Sequence, residues 1–115
     1  MILFHGNAED ISLSYFLYNN LSIYLNLHII VVEYPGYGVY KGNPTADQIE
    51  KDALDVYSYI KNEMKIPEEK IIIFGRSIGT GPATFLASVK NPGCLILLSP
   101  FTSINGVIHE YIYSY

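Results

Sequence analysis

The chain has 115 residues, enough for one domain with a buried core. Half of its residues are apolar, which excludes an intrinsically disordered protein. Its net charge of −4 is spread along the chain without a Lys/Arg cluster, which argues against a nucleic-acid-binding surface. Cys94 is the only cysteine, so an intrachain disulfide is excluded and a reducing compartment fits best.

Four short apolar runs predict the strands of the fold. The first, Ile2–Phe4, ends at a polar segment over residues 5–7 and is too short for a signal peptide or a membrane span. Three further runs are rich in Ile, Val and Leu: His28–Tyr34, Lys70–Phe74 and Cys94–Leu98. Continuous apolar runs of this kind are typical of strands that are buried on both faces of a parallel sheet.

Helical patterns lie between these runs. The first is an apolar series that follows two acidic residues and contains Leu13, Phe16, Leu17, Leu21 and Tyr24. The second extends from Thr45 to about Met64, and one face of it carries Ile49, Ala53, Tyr57, Ile60 and Met64. Thr45 and Gln48 have the spacing of a capping box, which places the start of this second helix.

A third helix is predicted from Ser77 or Ile78 towards Lys90, and a fourth over Ile104–Tyr115. Strands and helices therefore alternate along the whole chain. This alternation predicts an α/β fold with a parallel sheet of about four strands, right-handed crossovers and flanking helices. In such folds ligands bind at the carboxyl ends of the strands.

The end of the third strand carries the motif Gly75-Arg76-Ser77-Ile78-Gly79. A Gly-x-Ser-x-Gly match is weak by itself. A strand before it and a helix after it make it specific, because the nucleophile elbow of serine hydrolases is a turn between a strand and a helix. In this interpretation the glycines allow close approach of neighbouring chains, and Ser77 is exposed at a helix N-terminus as the nucleophile. The alternative is that Ser77 only caps the helix.

The first strand ends in His5-Gly6-Asn7, where a second element of such a site is expected. Acyl transfer needs two backbone N–H groups that bind the oxyanion. The residue after the nucleophile, Ile78, would supply one, and we expect Asn7, after the tight turn at Gly6, to supply the other. His5 is expected to shape this loop by local hydrogen bonds rather than to act as a general base.

Four segments together resemble the α/β-hydrolase domain-containing serine hydrolases, in particular their depalmitoylase-like branch: HGNAED, YPGYGVYKGNPT, IIIFGRSIGTGPA and LLSPFTSI. The resemblance implies an esterase or thioesterase that forms an acyl-enzyme on Ser77, with the Asn7 and Ile78 amides as oxyanion hole. It also implies that loops 34–38 and 99–102 lie beside the site. The preference of Pro and Gly for the backbone conformations of turns would also account for their presence in these loops.

The resemblance further implies that residues 1–115 are an incomplete α/β-hydrolase domain. In the family, the acid and base of the triad follow later strands, so we expect both to lie outside this chain. His109 is expected to be an exposed helix residue. Without a base the hydroxyl of Ser77 is a poor nucleophile, so the 115-residue chain is expected to have little or no activity.

The same resemblance predicts the spatial strand order second, first, third, fourth. Both outer strands would then be apolar edges, and we expect them to promote self-association.

The substrate would be a small-molecule or acyl-protein ester or thioester, with Tyr37, Tyr40 and Phe101 as candidates for lining an acyl pocket. No cofactor, metal or nucleic acid is expected. The resemblance implies a cytoplasmic location, with attachment of the full-length protein to membranes through a lipidated N-terminal segment.

Two other functions remain open from the sequence. The glycine-rich turn over Gly75–Gly81 could bind a nucleotide, but the third position of the dinucleotide fingerprint is Thr84 and the Gly-Lys-Ser/Thr of a phosphate loop is absent. Alternatively, the chain could be a non-catalytic, hydrolase-like interaction module.

Overall fold

The computed structural model describes residues 1–101, so the helix predicted over Ile104–Tyr115, together with Thr102 and His109, lies outside the described residues. Four parallel strands form one sheet: β1 (Ile2–Phe4), β2 (Ile30–Val32), β3 (Ile72–Arg76) and β4 (Cys94–Leu98). Their spatial order is β2-β1-β3-β4. Both the predicted α/β class and the predicted strand order are therefore confirmed.

Three α-helices connect the strands: α1 (Tyr15–Leu25), α2 (Ala46–Asn62) and α3 (Thr80–Val89). The predicted cap of α2 is present, since the Thr45 hydroxyl accepts a hydrogen bond from the Gln48 N–H at 3.3 Å. The Gln48 side chain does not complete the capping box; its amide donates to Asp52 at 2.8 Å instead. The cap therefore stabilises the first turn of α2 through the threonine alone.

Several bounds differ from the prediction: β2 is shorter than the run His28–Tyr34, and α3 begins at Thr80, after a 3₁₀ turn. Those of β3 and α1 differ for local reasons. β3 begins two residues later than predicted because a 3₁₀ turn at Glu68–Lys70 precedes it, and it continues through Gly75 to Arg76, which pairs with Leu98. α1 begins at Tyr15 rather than near Leu13. The carboxylate of Asp10 accepts the Leu13 N–H at 2.8 Å, which holds residues 10–13 in a turn.

The core lies between the sheet and helices α2 and α3. Its buried residues come from β1, β2, β3, the residue before β3 and both helices, and they include Ile2, Phe4, Val32, Ala53, Tyr57, Ile60, Ile71, Ile73, Ala83 and Leu86. The face predicted for α2 supplies three of these residues. This packing fixes the end of β3 and the start of α3, the junction at which Ser77 lies.

The prediction that all four strands are buried on both faces is wrong for β4, whose five residues are all exposed. β4 is an edge strand with β3 as its one strand neighbour in the described sheet. Similarly, most of the apolar residues that predicted α1 are exposed; the exposed fraction is 77% for Phe16 and 86% for Tyr24. Tyr18 is the buried residue of this helix.

Among residues 1–101, none of the helices has the length and apolar character needed to cross a membrane.

Candidate active site

Ser77 lies at a sharp turn between β3 and α3. It is the first residue of a 3₁₀ turn, Ser77–Gly79, that leads directly into the helix. Its φ of +51° is in the left-handed region, which residues other than glycine rarely adopt. The side chain is neither buried nor fully exposed. The turn therefore has the strained backbone expected of an elbow that presents a side chain at the end of a strand.

The two glycines of the motif are required by close packing. A Cβ at Gly75 would lie 2.5 Å from the carbonyl oxygen of Gly79 and 2.7 Å from the Cβ of Ala83. A Cβ at Gly79 would overlap the main chain of Phe4 and lie 2.7 Å from the carbonyl oxygen of His5. The elbow is thus packed directly against the carboxyl end of β1, where the loop containing Asn7 begins.

Asn7 is exposed on that loop, and its side chain is fixed. The hydroxyl of Tyr37 donates to its Oδ1 at 2.7 Å. Within residues 1–101, its backbone N–H donates to no other protein group. In the described part of the chain this amide therefore has no protein acceptor, and Ile78, the other proposed donor, lies in the 3₁₀ turn that precedes α3.

His5 is fully buried, and both of its ring nitrogens are in hydrogen-bonding contact with oxygens. Nδ1 is 2.9 Å from the carbonyl oxygen of Gly6, and Nε2 is 2.8 Å from Oε1 of Glu33. A ring held in this way cannot take a proton from Ser77. This agrees with the expectation that His5 shapes the loop.

Glu33 and Tyr34, at the end of β2, hold the same loop from the other side. Glu33 also accepts the Ile11 N–H at 3.2 Å, and the hydroxyl of Tyr34 donates to the carbonyl oxygen of His5 at 2.8 Å. The Tyr34 and His5 rings pack with centroids 4.4 Å apart. Burial raises the pKa of Tyr34 above its ordinary value, so the hydroxyl stays protonated and remains a donor.

An ion pair connects the loop to the elbow. The guanidinium of Arg76, the residue before Ser77, donates to Oε1 of Glu9. The other oxygen of Glu9 accepts from the hydroxyl of Ser14 at 3.3 Å. This pair and the main-chain packing at Gly79 are two independent contacts between the segments that carry the proposed oxyanion donors.

A cavity of about 350 Å³ lies beside the elbow, between the starts of α2 and α3. Most of its lining is apolar, and the residues that form it include Tyr34, Tyr37, Pro44, Ile49, Ile78, Pro82 and Phe101. Of the three pocket candidates, Tyr37 and Phe101 line this cavity, whereas Tyr40 does not. Ser77 itself does not line it, although its neighbour Ile78 does. Tyr40 lines a separate depression with Tyr15 and Phe16.

Comparison with curated proteins gives a consistent set of relatives. The chain is 38% identical over 104 residues to alpha/beta hydrolase domain-containing protein aho-3 of Caenorhabditis elegans. It is 34% identical over 103 residues to alpha/beta hydrolase domain-containing protein 17B of Homo sapiens, and 33% identical to protein 17C of Xenopus laevis. Each match covers 90% of the chain. The chain is a homologue of the α/β-hydrolase domain-containing proteins.

The resemblance inferred from the four motif segments is therefore confirmed, since these relatives are named as α/β-hydrolase domain-containing proteins. The chain spans about a third of the length of these curated relatives, from 31 to 36%. No protein-family model matches the chain. No solved structure gives a significant match either.

The residues described here do not place a general base beside the serine of this α/β-hydrolase homologue. His5 is engaged on both nitrogens. His28 precedes β2 at the amino edge of the sheet, where its carbonyl accepts from the Met1 amino group, whereas Ser77 is at the carboxyl edge. Within residues 1–101, no group of three or more His, Cys, Asp or Glu side chains is arranged to hold a metal ion.

Three residues of this site were given no role in it from the sequence: Glu9, Glu33 and Arg76. A signal existed for Glu33, because it is a charged residue inside the apolar run HIIVVEY and a buried carboxylate needs partners. No comparable signal marked Glu9 and Arg76, which lie 67 residues apart in the chain.

Proposed function

We propose that this chain carries the nucleophile and the oxyanion-binding part of a serine hydrolase that cleaves esters or thioesters. The observation that carries the proposal is the left-handed backbone of Ser77 at a strand–helix turn packed against the loop of Asn7. A helix N-terminus and free amides near the hydroxyl favour the development of negative charge on a bound carbonyl oxygen.

In the proposed reaction, Ser77 Oγ attacks the acyl carbonyl carbon while a general base takes the hydroxyl proton. The oxyanion of the tetrahedral intermediate accepts hydrogen bonds from the Asn7 and Ile78 N–H groups. Collapse breaks the bond to the leaving alcohol or thiol, which receives the proton from the base. A water molecule then hydrolyses the acyl-serine, releasing the acid and regenerating the hydroxyl.

The cavity next to Ile78 supports an acyl substrate, because its lining is largely apolar and it opens beside the proposed oxyanion hole. The family resemblance adds protein thioesters, with an acyl chain on a cysteine, as the candidate class. We further propose that the triad acid and base are contributed by residues outside the 115-residue sequence. Their absence leaves only the residual rate that an oxyanion hole and binding provide.

The test is labelling of the 115-residue chain with a fluorophosphonate probe, monitored by intact-mass spectrometry. We expect slow modification at Ser77, orders of magnitude below that of a complete serine hydrolase measured in parallel. The matched control is Ser77→Ala, which should abolish the adduct. Labelling at the rate of the complete enzyme would refute an external base, and an adduct that persists in Ser77→Ala would refute the assignment of the nucleophile.

One observation favours a second function, a non-catalytic interaction module. The whole of β4 and much of α1 expose apolar side chains, and such surfaces mark interaction sites. The nucleotide-binding alternative gains no comparable support, because the packing described above already accounts for Gly75 and Gly79. A thermal-shift screen with nucleotides distinguishes it from the hydrolase proposal.

A further inference from the structure

His5 contacts one oxygen through each ring nitrogen. The Gly6 carbonyl oxygen can only accept a hydrogen bond, so Nδ1 is the donor in that contact. Nε2 is in contact with Oε1 of Glu33, which holds the ring from its other side. Glu33 is itself fixed, since it accepts the Ile11 and Tyr34 N–H groups.

The contact with Gly6 determines the direction of the Asn7 amide. The Gly6 carbonyl and the Asn7 N–H belong to one peptide unit, which is planar and trans, so the two groups point in opposite directions. A hydrogen bond that holds the carbonyl oxygen therefore also holds the N–H. Glycine at position 6 would otherwise leave this peptide unit unusually free to rotate.

The neighbouring groups are held as well. The carbonyl of His5 accepts from the Tyr34 hydroxyl, and the side chain of Asn7 accepts from the Tyr37 hydroxyl. Two successive carbonyls, those of His5 and Gly6, are thus each held by a hydrogen bond to a side chain. The elbow packs against the same stretch of main chain, since a Cβ at Gly79 would lie 2.7 Å from the carbonyl oxygen of His5.

We propose that the pair formed by the buried His5 and the partly buried Glu33 is a positioning device that holds the Asn7 N–H in the orientation needed to bind the oxyanion. The inference rests on the proposed function, in which Asn7 supplies that donor. His5 does not touch the substrate; it acts through the Gly6–Asn7 peptide. Such prior orientation matters because a donor that must rotate during the reaction loses much of its electrostatic effect on the transition state.

The first test uses the native chain and needs no variant. Long-range ¹H–¹⁵N NMR of the His5 ring should show a proton on Nδ1, as the contact with the Gly6 carbonyl requires. A ring without a proton on Nδ1 would contradict the positioning role directly. This measurement is independent of any activity of the chain.

The second test compares two variants of matched polarity. In His5→Asn the side-chain amide nitrogen lies near the position of Nδ1 and can still donate to the Gly6 carbonyl. In His5→Gln the amide nitrogen lies near Nε2 and can reach only Glu33. Both variants lose the packing of a buried ring, so a purely structural role predicts similar effects for the two.

The readouts are the orientation of the Asn7 N–H vector, from residual dipolar couplings, and the rate of fluorophosphonate labelling at Ser77. We expect His5→Asn to keep the native vector and a labelling rate within a few-fold of native. His5→Gln should reorient the Asn7 vector, leave the couplings of α2 and β3 unchanged, and lower the labelling rate by up to about a hundredfold, the lower end of the loss for a missing oxyanion donor.

The two proposals fail in distinguishable ways. Equal Asn7 vectors in His5→Asn and His5→Gln, with the fold intact, would overturn the positioning role. A native chain that shows no adduct at Ser77 would instead count against the hydrolase proposal. The vector measurement would still decide whether His5 orients the loop.

Discussion

At position 77 the backbone has a conformation that is unfavourable for serine. A left-handed φ at a residue other than glycine costs on the order of 1–3 kcal/mol, and such strain concentrates at functional sites. Thr80 helps to maintain the turn, since its hydroxyl donates to the carbonyl of Ser77 at 2.6 Å. The two glycines of the motif are required for a different reason. A Cβ at either position would overlap neighbouring atoms, whereas their φ values are ones that any residue can adopt.

The glycines give a matched pair for a stability measurement. Gly79→Ala places a Cβ against the main chain of Phe4, and we expect the free energy of unfolding to fall by about 1–3 kcal/mol or more, as for other overpacked sites. Gly81→Ala is the control. Its Cβ would meet no atom within 4 Å, and alanine favours the helix by up to about 1 kcal/mol. Urea unfolding followed by circular dichroism measures both, and equal effects would refute the packing argument.

At the scale of helices and strands, much of the fold could be predicted from the sequence. Continuous apolar runs and helical spacing gave the strand–helix alternation, and the glycine and serine motif located the turn after β3. The start of α1 could not be predicted, because it depends on a hydrogen bond from the backbone N–H of Leu13 to the side-chain carboxylate of Asp10. The apolar run of β4 did not by itself predict its exposure, since such a run looks the same at an edge as at the centre of a sheet. The edge position followed only from the strand order that the family resemblance implied.

The site was only partly predictable for a related reason. Motif spacing identifies residues that are close in sequence, such as Gly75, Ser77 and Gly79. The His5–Glu33 contact joins residues 28 positions apart, and the Glu9–Arg76 pair joins residues still more distant. Such partners become apparent only when the strand order brings the ends of β1, β2 and β3 to one edge of the sheet.

The contact between α2 and the turn before β3 has a predictable pH dependence. Hydrogen bonds from Lys61 at 2.7 Å and from Tyr57 at 2.9 Å lower the pKa of Glu68 below its ordinary value of 4.5. A carboxyl group whose pKa is lowered by folding stabilises the folded state above its unfolded pKa. That contribution is lost as the pH falls through the lowered value.

We therefore expect Glu68→Gln to unfold more easily than the native chain at pH 7. The difference in the free energy of unfolding should shrink as the pH falls below about 4.5, the ordinary pKa of the group. Glu69→Gln is the control, because the Glu69 side chain is exposed and makes no hydrogen bond within residues 1–101. A difference between native and Glu68→Gln that stays constant from pH 7 to pH 3 would contradict this account.

At the scale of the whole molecule, the apolar surface is unevenly distributed. β4 has an unpaired edge in the described sheet and exposes five apolar residues, without the charge or proline that commonly protects an edge strand. α1 adds exposed Phe, Leu, Ile and Tyr side chains. A sheet edge of this composition offers both hydrogen-bonding groups and apolar area to another chain.

We accordingly expect the chain to self-associate as its concentration rises, and Leu97→Lys to shift it towards the monomer. Lysine on an edge strand disfavours strand addition because a second chain would have to bury its charge. Val39→Lys, at a loop residue that is 97% exposed, is the control and should leave association unchanged. Sedimentation velocity over a concentration series measures this, and a monomer throughout would show that the β4 edge does not drive association.

Because Gly79 has no side chain, two parts of the molecule that are distant in sequence pack directly against each other: the turn after β3 and the end of β1. Since the turn of Ser77 rests on the main chain at the end of β1, the proposed nucleophile and the loop of the proposed oxyanion donor are joined by a contact that does not involve the residues between them. The intervening stretch includes Pro44 and Ile49, which form part of the cavity wall. Under the proposed function, substitutions in that stretch would change the shape of the cavity while the contact at Gly79 stays the same.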